Sequence, residues 1–147
     1  MDHDRERQIV CIDDSLAWLI KIRKVLLEII TERGYKARFI LVQPTAAETH
    51  KTVIGQIKKR LEGAIPDLFI VDENISAAIT GHLLIPELKR EFGKKMMLIL
   101  SAEEEEKLQK IRKYGILAYN KDEFDDCAGI LADFMGAKEE WHPTKTN

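Results

Sequence analysis

Five short apolar runs alternate along the chain with segments of helical length. The runs fall at 8–12, 38–42, 67–71, 96–100 and 116–119, and each is nearly continuous in apolar character rather than alternating. That pattern predicts strands buried on both faces, as in a parallel sheet covered by helices. The intervening segments carry helix punctuation. Residues 15–33 are rich in Leu and Ile and stop at Gly34, which reads as a C-terminal cap. Thr45-Ala-Ala-Glu48, preceded by Pro44, reads as a capping box, and the apolar stripe Ala47, Ile54, Ile57, Leu61 follows before Gly63. Residues 81–92 have a helical pattern but contain Pro86, so this helix either begins near Pro86 or is kinked there. Ser101-Ala-Glu-Glu104 reads as another capping box, followed by the i,i+4 pairs Glu103–Lys107 and Glu106–Lys110. The last segment, 122–135, places Phe124, Cys127, Leu131 and Phe134 on one face.

Strand and helix therefore alternate five times. With right-handed crossovers this predicts an α/β fold, a (βα)5 doubly wound five-stranded parallel sheet in the order 2-1-3-4-5, that is, a flavodoxin-like three-layer sandwich. The length of 147 residues suits one domain, expected over 8–137 between an N-terminal tail, 1–7, and a C-terminal tail, 138–147, from which Trp141 is the residue able to dock. Lys and Arg total 23 against 25 Asp and Glu, a balance that argues against a nucleic-acid-binding face. No run approaches the roughly 18 apolar residues of a membrane span, and the charged start of the chain leads into too short an apolar stretch for a signal peptide. Cys11 and Cys127 are far apart and fall on apolar faces, as buried thiols of a reducing cytoplasm would.

In doubly wound sheets the working site lies beyond the carboxyl ends of the strands. Strand one there ends in Ile12-Asp13-Asp14-Ser15, strand three in Val71-Asp72-Glu73-Asn74, strand four in Leu100-Ser101-Ala102 and strand five in Tyr119-Asn120-Lys121. Strands one and three are neighbours in this topology, so Asp13, Asp14 and Asp72 converge. At ~4 Å and an effective dielectric of ~20, each like-charged pair costs roughly 4 kcal/mol, so either the carboxyl pKa values rise or a hard cation neutralises the cluster. Carboxylates and carbonyls without His or Cys suit Mg²⁺. Each residue also has a plain reading: Asp14 or Ser15 as the cap of the first helix, Ser101 as the cap of the fourth, Asp72 as a turn residue, Lys121 as a solvated charge. Their coincidence at one edge of four strands, with complementary chemistry, favours a site.

This pattern resembles the receiver domain of two-component response regulators. The stretches that carry the resemblance are Gln8-Ile-Val-Cys-Ile-Asp-Asp-Ser15, Ile65-Pro-Asp-Leu-Phe-Ile-Val-Asp72, Leu98-Ile-Leu-Ser-Ala102 and Tyr119-Asn-Lys121, together spanning most of the chain. The resemblance implies that Asp72 is the phosphoacceptor and that Asp13, Asp14, Asp72 and the backbone carbonyl of Asn74 hold Mg²⁺. It further implies that Ser101 binds a phosphoryl oxygen, that Lys121 pairs with the acidic site, and that Asn74 and Glu103 tune the lifetime of the phosphorylated form. It implies a stand-alone, chemotaxis-type signalling protein rather than a conventional enzyme, whose partners are a sensor histidine kinase or phosphotransfer protein and a downstream protein. The chemistry is coherent in its own right. A carboxylate can attack phosphorus, and the transfer then needs in-line positioning and neutralisation of oxygen charge.

Several positions depart from the family pattern. Asp14 and Asp72 are 58 residues apart, which implies an enlarged second helix or a longer adjoining loop. Ile75-Ser76 stands where Met-Pro is common, Gly81 falls one residue late, and Asp122 replaces the usual proline after the lysine, so a trans bond is expected there. The aromatic usual three residues before the lysine is Ala118; Tyr119, one position later, is sent to the opposite face by period-two alternation, unless strand five is shortened by a local irregularity. The alternative function is a receiver-like scaffold that binds partners without phosphorylation. A haloacid-dehalogenase-type phosphatase would need Asp-x-Asp where the chain has adjacent carboxylates, and a flavin site would need a Ser/Thr/Gly-rich loop after strand one. His3, His50, His82 and His142 read as ordinary surface residues without acidic partners, and Trp18 as part of the core.

Overall fold

The fold is that of a computed structural model, which describes residues 5–136. Its elements are β1 (Glu6–Ile12), α1 (Leu16–Glu32), β2 (Lys36–Val42), α2 (His50–Leu61), β3 (Leu68–Val71), α3 (Gly81–Phe92), β4 (Met96–Ser101), α4 (Glu105–Arg112), β5 (Leu117–Asn120), a 3₁₀ turn (Lys121–Glu123) and α5 (Phe124–Gly136). The five strands form one parallel sheet in the order β2-β1-β3-β4-β5, as the alternation of runs predicts. The expectations for His3, His142, Trp141, the side chain of Phe134 and the domain end at 137 lie outside the described residues.

The continuous apolar runs have a direct cause. Successive strand residues feed two cores, one on each face of the sheet. Ile9, Cys11, Leu68, Ile70, Leu98 and Leu100 face α1 and α5, where Leu19, Ile22, Leu26, Phe124, Cys127 and Leu131 meet them. Val10, Ile12, Phe69, Val71, Met97 and Ile99 face α2, α3 and α4 and pack on Val53, Ile57, Leu84, Leu88, Leu108 and Ile111. The result is the expected three layers. Both cysteines are free and buried, and burial raises the pKa of each thiol, that of Cys127 to about 11, so neither is a nucleophile at neutral pH.

Several local expectations are corrected. The Thr45–Glu48 box is only half made: Glu48 reaches back to the Thr45 backbone N–H at 2.7 Å, but the chain makes a single turn there and exposes Ala47. Helix α2 begins one turn later, where Thr49 is the N-cap and Thr52 completes a reciprocal box, in phase with the buried stripe Val53, Ile57, Leu61. Replacing Thr49 by alanine therefore removes the cap from α2, and the expected loss is about 1 kcal/mol in urea unfolding, with Thr45→Ala well below that. Ser101 is the last residue of β4 and caps no helix; α4 starts after Glu104 without a side-chain cap. The helix over 81–92 runs through Pro86 from Gly81. Of the two expectations for the long span between Asp14 and Asp72, the enlarged second helix is the one not met: α2, at 12 residues, is no longer than α3, and the adjoining loop is the connection 43–49.

Candidate functional site

The carboxyl edge of the sheet gathers the acidic residues. Asp13 follows β1 and Asp72 follows β3; the backbone N–H of Asp13 donates to Val42 O at 3.1 Å and that of Asp72 to Ile12 O at 2.8 Å, so sheet-like pairing continues one residue past the strands and fixes both carboxyl groups. One carboxylate oxygen from each of Asp13, Asp14 and Asp72 lies within 4.8 Å of the others. Asp13 and Asp72 are buried, whereas Asp14 is exposed at the rim. Lys121, 7% exposed at the end of β5, reaches across with its Nζ 3.0 Å from Asp13 Oδ2 and 3.6 Å from Asp72 Oδ1.

Electrostatics follow from this crowding. Burial, then the charge of Asp13, raise the pKa of Asp72 to about 7, against the pull of Lys121. Burial likewise raises the pKa of Asp13, opposed by the Ser15 backbone N–H and Lys121. A single ammonium therefore leaves the three carboxylates under-neutralised, and a divalent cation would relieve them. The donor set fits Mg²⁺: oxygen donors, two of them buried and one exposed at the rim, with neither His nor Cys within the cluster. Asn74 is exposed at the lip of the loop after Asp72 and lies outside the carboxylate cluster, and its side chain donates to Glu103.

Ser101 is fully buried on β4, the strand between those that carry Asp72 and Lys121, and pairs in register with Asn120. Its Oγ accepts the Glu103 backbone N–H at 3.1 Å, which orients the hydroxyl and leaves its proton to donate. Glu103 bridges Asn74 and Lys107, the latter at 3.2 Å, and these two partners, Asn74 first, hold its carboxyl below the usual value. The two residues predicted to tune lifetime thus touch each other at the mouth of the site.

The loop after Asp72 absorbs the late glycine. Ile75 and Ile79 are buried and bracket a tight turn, with Ile75 N–H and Ser76 N–H both donating to Ile79 O, and Asn74 bridges Thr80. Gly81 then passes so close to Asp72 that a Cβ would stand 2.4 Å from Asp72 O and 2.6 Å from Ile99 Cδ1. The Lys121–Asp122 bond is trans, as expected.

Three features escaped sequence reasoning. His82 and His50 do have acidic partners: His82 Nδ1 meets Glu73 Oε2 at 2.5 Å, with the His82 backbone N–H on Glu73 Oε1 at 2.9 Å, and His50 contacts Glu87. Tyr119, by contrast, sits where period-two alternation predicts, on the α1/α5 face of a regular β5, while Ala118 faces α4, so no strand irregularity rescues the aromatic. Trp18 is half-buried rather than core, and its ring lies 5.1 Å from Lys121 Nζ. Its position three residues past the Ser15 cap, at the top of α1, was the available signal.

Solved structures share this fold. The isolated REC domain of RcsB from Salmonella enterica serovar Typhimurium, in the presence of phosphomimetic BeF3-, aligns with a TM-score of 0.67 at 15% identity over 94% of this chain and 92% of that one. The chain has the receiver-domain fold. A Thermotoga maritima response regulator aligns with a TM-score of 0.59 at 14% identity, over 90% of this chain and 99% of that one. The Salmonella typhimurium RcsB response regulator aligns at 0.65 and 17% identity; 94% of this chain is covered, but only 63% of that longer one. No family model and no curated protein matches the sequence. Beyond receiver geometry, no helix among the described residues is long and apolar enough to cross a membrane.

Proposed function

We propose that the protein is a response-regulator receiver that accepts a phosphoryl group on Asp72 and relays a signal in the cytoplasm. The observation that carries this reading is the buried Asp72 carboxyl, set beside Asp13 and Asp14 and within 3.6 Å of the Lys121 ammonium. The RcsB domain, whose structure was solved with a phosphomimetic, supports it by analogy of fold. The donor is a sensor histidine kinase or phosphotransfer protein, and output passes to a protein partner.

In the transfer, an ionised Asp72 oxygen attacks phosphorus; the new O–P bond forms as the P–N bond of phosphohistidine breaks, and the imidazole leaves with the electron pair and takes up a proton. Asp13, Asp14, Asp72 and the Asn74 carbonyl would hold Mg²⁺, which when bound neutralises phosphoryl oxygen charge. Lys121 supplies the second positive charge, and the Ser101 hydroxyl donates to a phosphoryl oxygen. Hydrogen bonds to charged groups are worth ~1.5–3 kcal/mol, so two of them approach the ~5.5 kcal/mol needed to move a two-state equilibrium from 1:99 to 99:1. Catalysis in this reading is confined to the protein's own phosphorylation and dephosphorylation.

Acetyl phosphate with Mg²⁺ should add one phosphoryl group to the intact mass, and Asp72→Asn should abolish the addition. An unmodified wild type under those conditions would overturn the reading. It would leave the phosphorylation-independent scaffold, which the placement of Tyr119 on the far face favours.

A further inference from the structure

The Trp18 indole is unaccounted for by the phosphoacceptor chemistry, yet it lies against its central cation. Lys121 Nζ stands 5.1 Å from the ring centroid, and Lys21 Nζ shares the same ring at 4.9 Å. Lys121 is otherwise held by Asp13 at 3.0 Å and, more loosely, by Asp72 at 3.6 Å. Any cation that enters the carboxylate cluster competes with the ammonium for Asp13. A lysine that is 7% exposed cannot compensate by turning to water. Among the described residues that hold the Lys121 ammonium, the indole face is the partner for which a metal ion on the carboxylates does not compete, because it offers quadrupole attraction rather than a ligand atom.

We propose that Trp18 is a positioning residue for Lys121: its indole face retains the ammonium beside Asp72 when Asp13 is drawn to a bound cation, and so sets the rate of phosphoryl transfer. The inference rests on the phosphoacceptor reading of Asp72. Trp18 itself is anchored for the task, since its backbone N–H donates to the Ser15 cap and its ring packs on the α1/α5 core.

The test compares labelling by acetyl phosphate at saturating Mg²⁺ for wild type, Trp18→Phe and Trp18→Leu. Loss of the aromatic face in Trp18→Leu should slow labelling roughly tenfold, while Trp18→Phe, which keeps one, should stay within about threefold of wild type. Equal rates for Trp18→Leu and wild type, or equal losses in both variants, would overturn the proposal. A second measurement leaves Trp18 in place. In a Trp141→Phe background, beryllofluoride with Mg²⁺ should alter Trp18 emission, and Lys121→Met should remove that response; a response that survives Lys121→Met counts against the contact. A wild type that no phosphodonor labels defeats the phosphoacceptor reading instead. The metal-free emission of Trp18 with and without Lys121→Met then decides the contact alone: unchanged emission refutes it.

Discussion

In the absence of divalent cations, Asp72→Asn should raise the thermal midpoint at pH 8 by roughly 10 °C, the equivalent of about 2–4 kcal/mol. Asp72 is buried beside two other carboxylates and its pKa is raised from 3.8 to about 7. Between those values the folded protein binds a proton that the unfolded chain has released, so stability falls as pH rises through the window. Below pH 4 wild type and variant should be alike, because the carboxyl is protonated in both states. The gap should open between pH 4 and 7 and be complete above. Added Mg²⁺ should close it from the other side, stabilising wild type by mass action and the variant far less. Calorimetry across pH, with and without Mg²⁺, reads both arms; a variant less stable than wild type at pH 8 without metal would refute the account.

The second large effect is expected at Gly81. An alanine there must displace both the Asp72 carbonyl and the Ile99 side chain; the first is backbone and the second is packed in the core, so neither gives way cheaply. Gly81→Ala should cost about 1–3 kcal/mol and, because the peptide that moves belongs to Asp72, should weaken Mg²⁺ binding as well. Gly55 is the control. It lies in α2, where an added Cβ would meet nothing within 4 Å, so Gly55→Ala should stabilise by up to about 1 kcal/mol through helix propensity alone. Urea unfolding and Mg²⁺ titration of the two variants separate the cases; equal stability for both would contradict the close approach at Gly81.

The sheet and the acidic edge were legible for one physical reason. A strand buried on both faces must be apolar throughout, and a doubly wound sheet leaves its polar chemistry to the residues just past each strand, so Asp13, Asp72, Ser101 and Lys121 announce themselves by position. What was not legible depends on phase and on distance. Thr45-Ala-Ala-Glu48 and Thr49-His-Lys-Thr52 are both credible boxes four residues apart, and the choice is made by which start puts Val53, Ile57 and Leu61 against the sheet. The pairing of Glu73 with His82 needs the course of a nine-residue loop, and that of His50 with Glu87 the packing of two helices. Trp18 meets Lys121 only because α1 and the end of β5 are brought together across more than a hundred residues of chain.

Arg112 gives the far side of the sheet a character of its own. Its Nε and Nη2 both donate to Ala118 O, at 2.9 and 2.7 Å, and its Nη1 holds Glu105 at the start of the same helix. The guanidinium thereby ties both ends of α4 to β5, the rim strand that Lys121 follows, at the very position where alanine stands in place of an aromatic ring. Any displacement of that strand would therefore strain or break the two bonds to Ala118 O unless α4 moved with it.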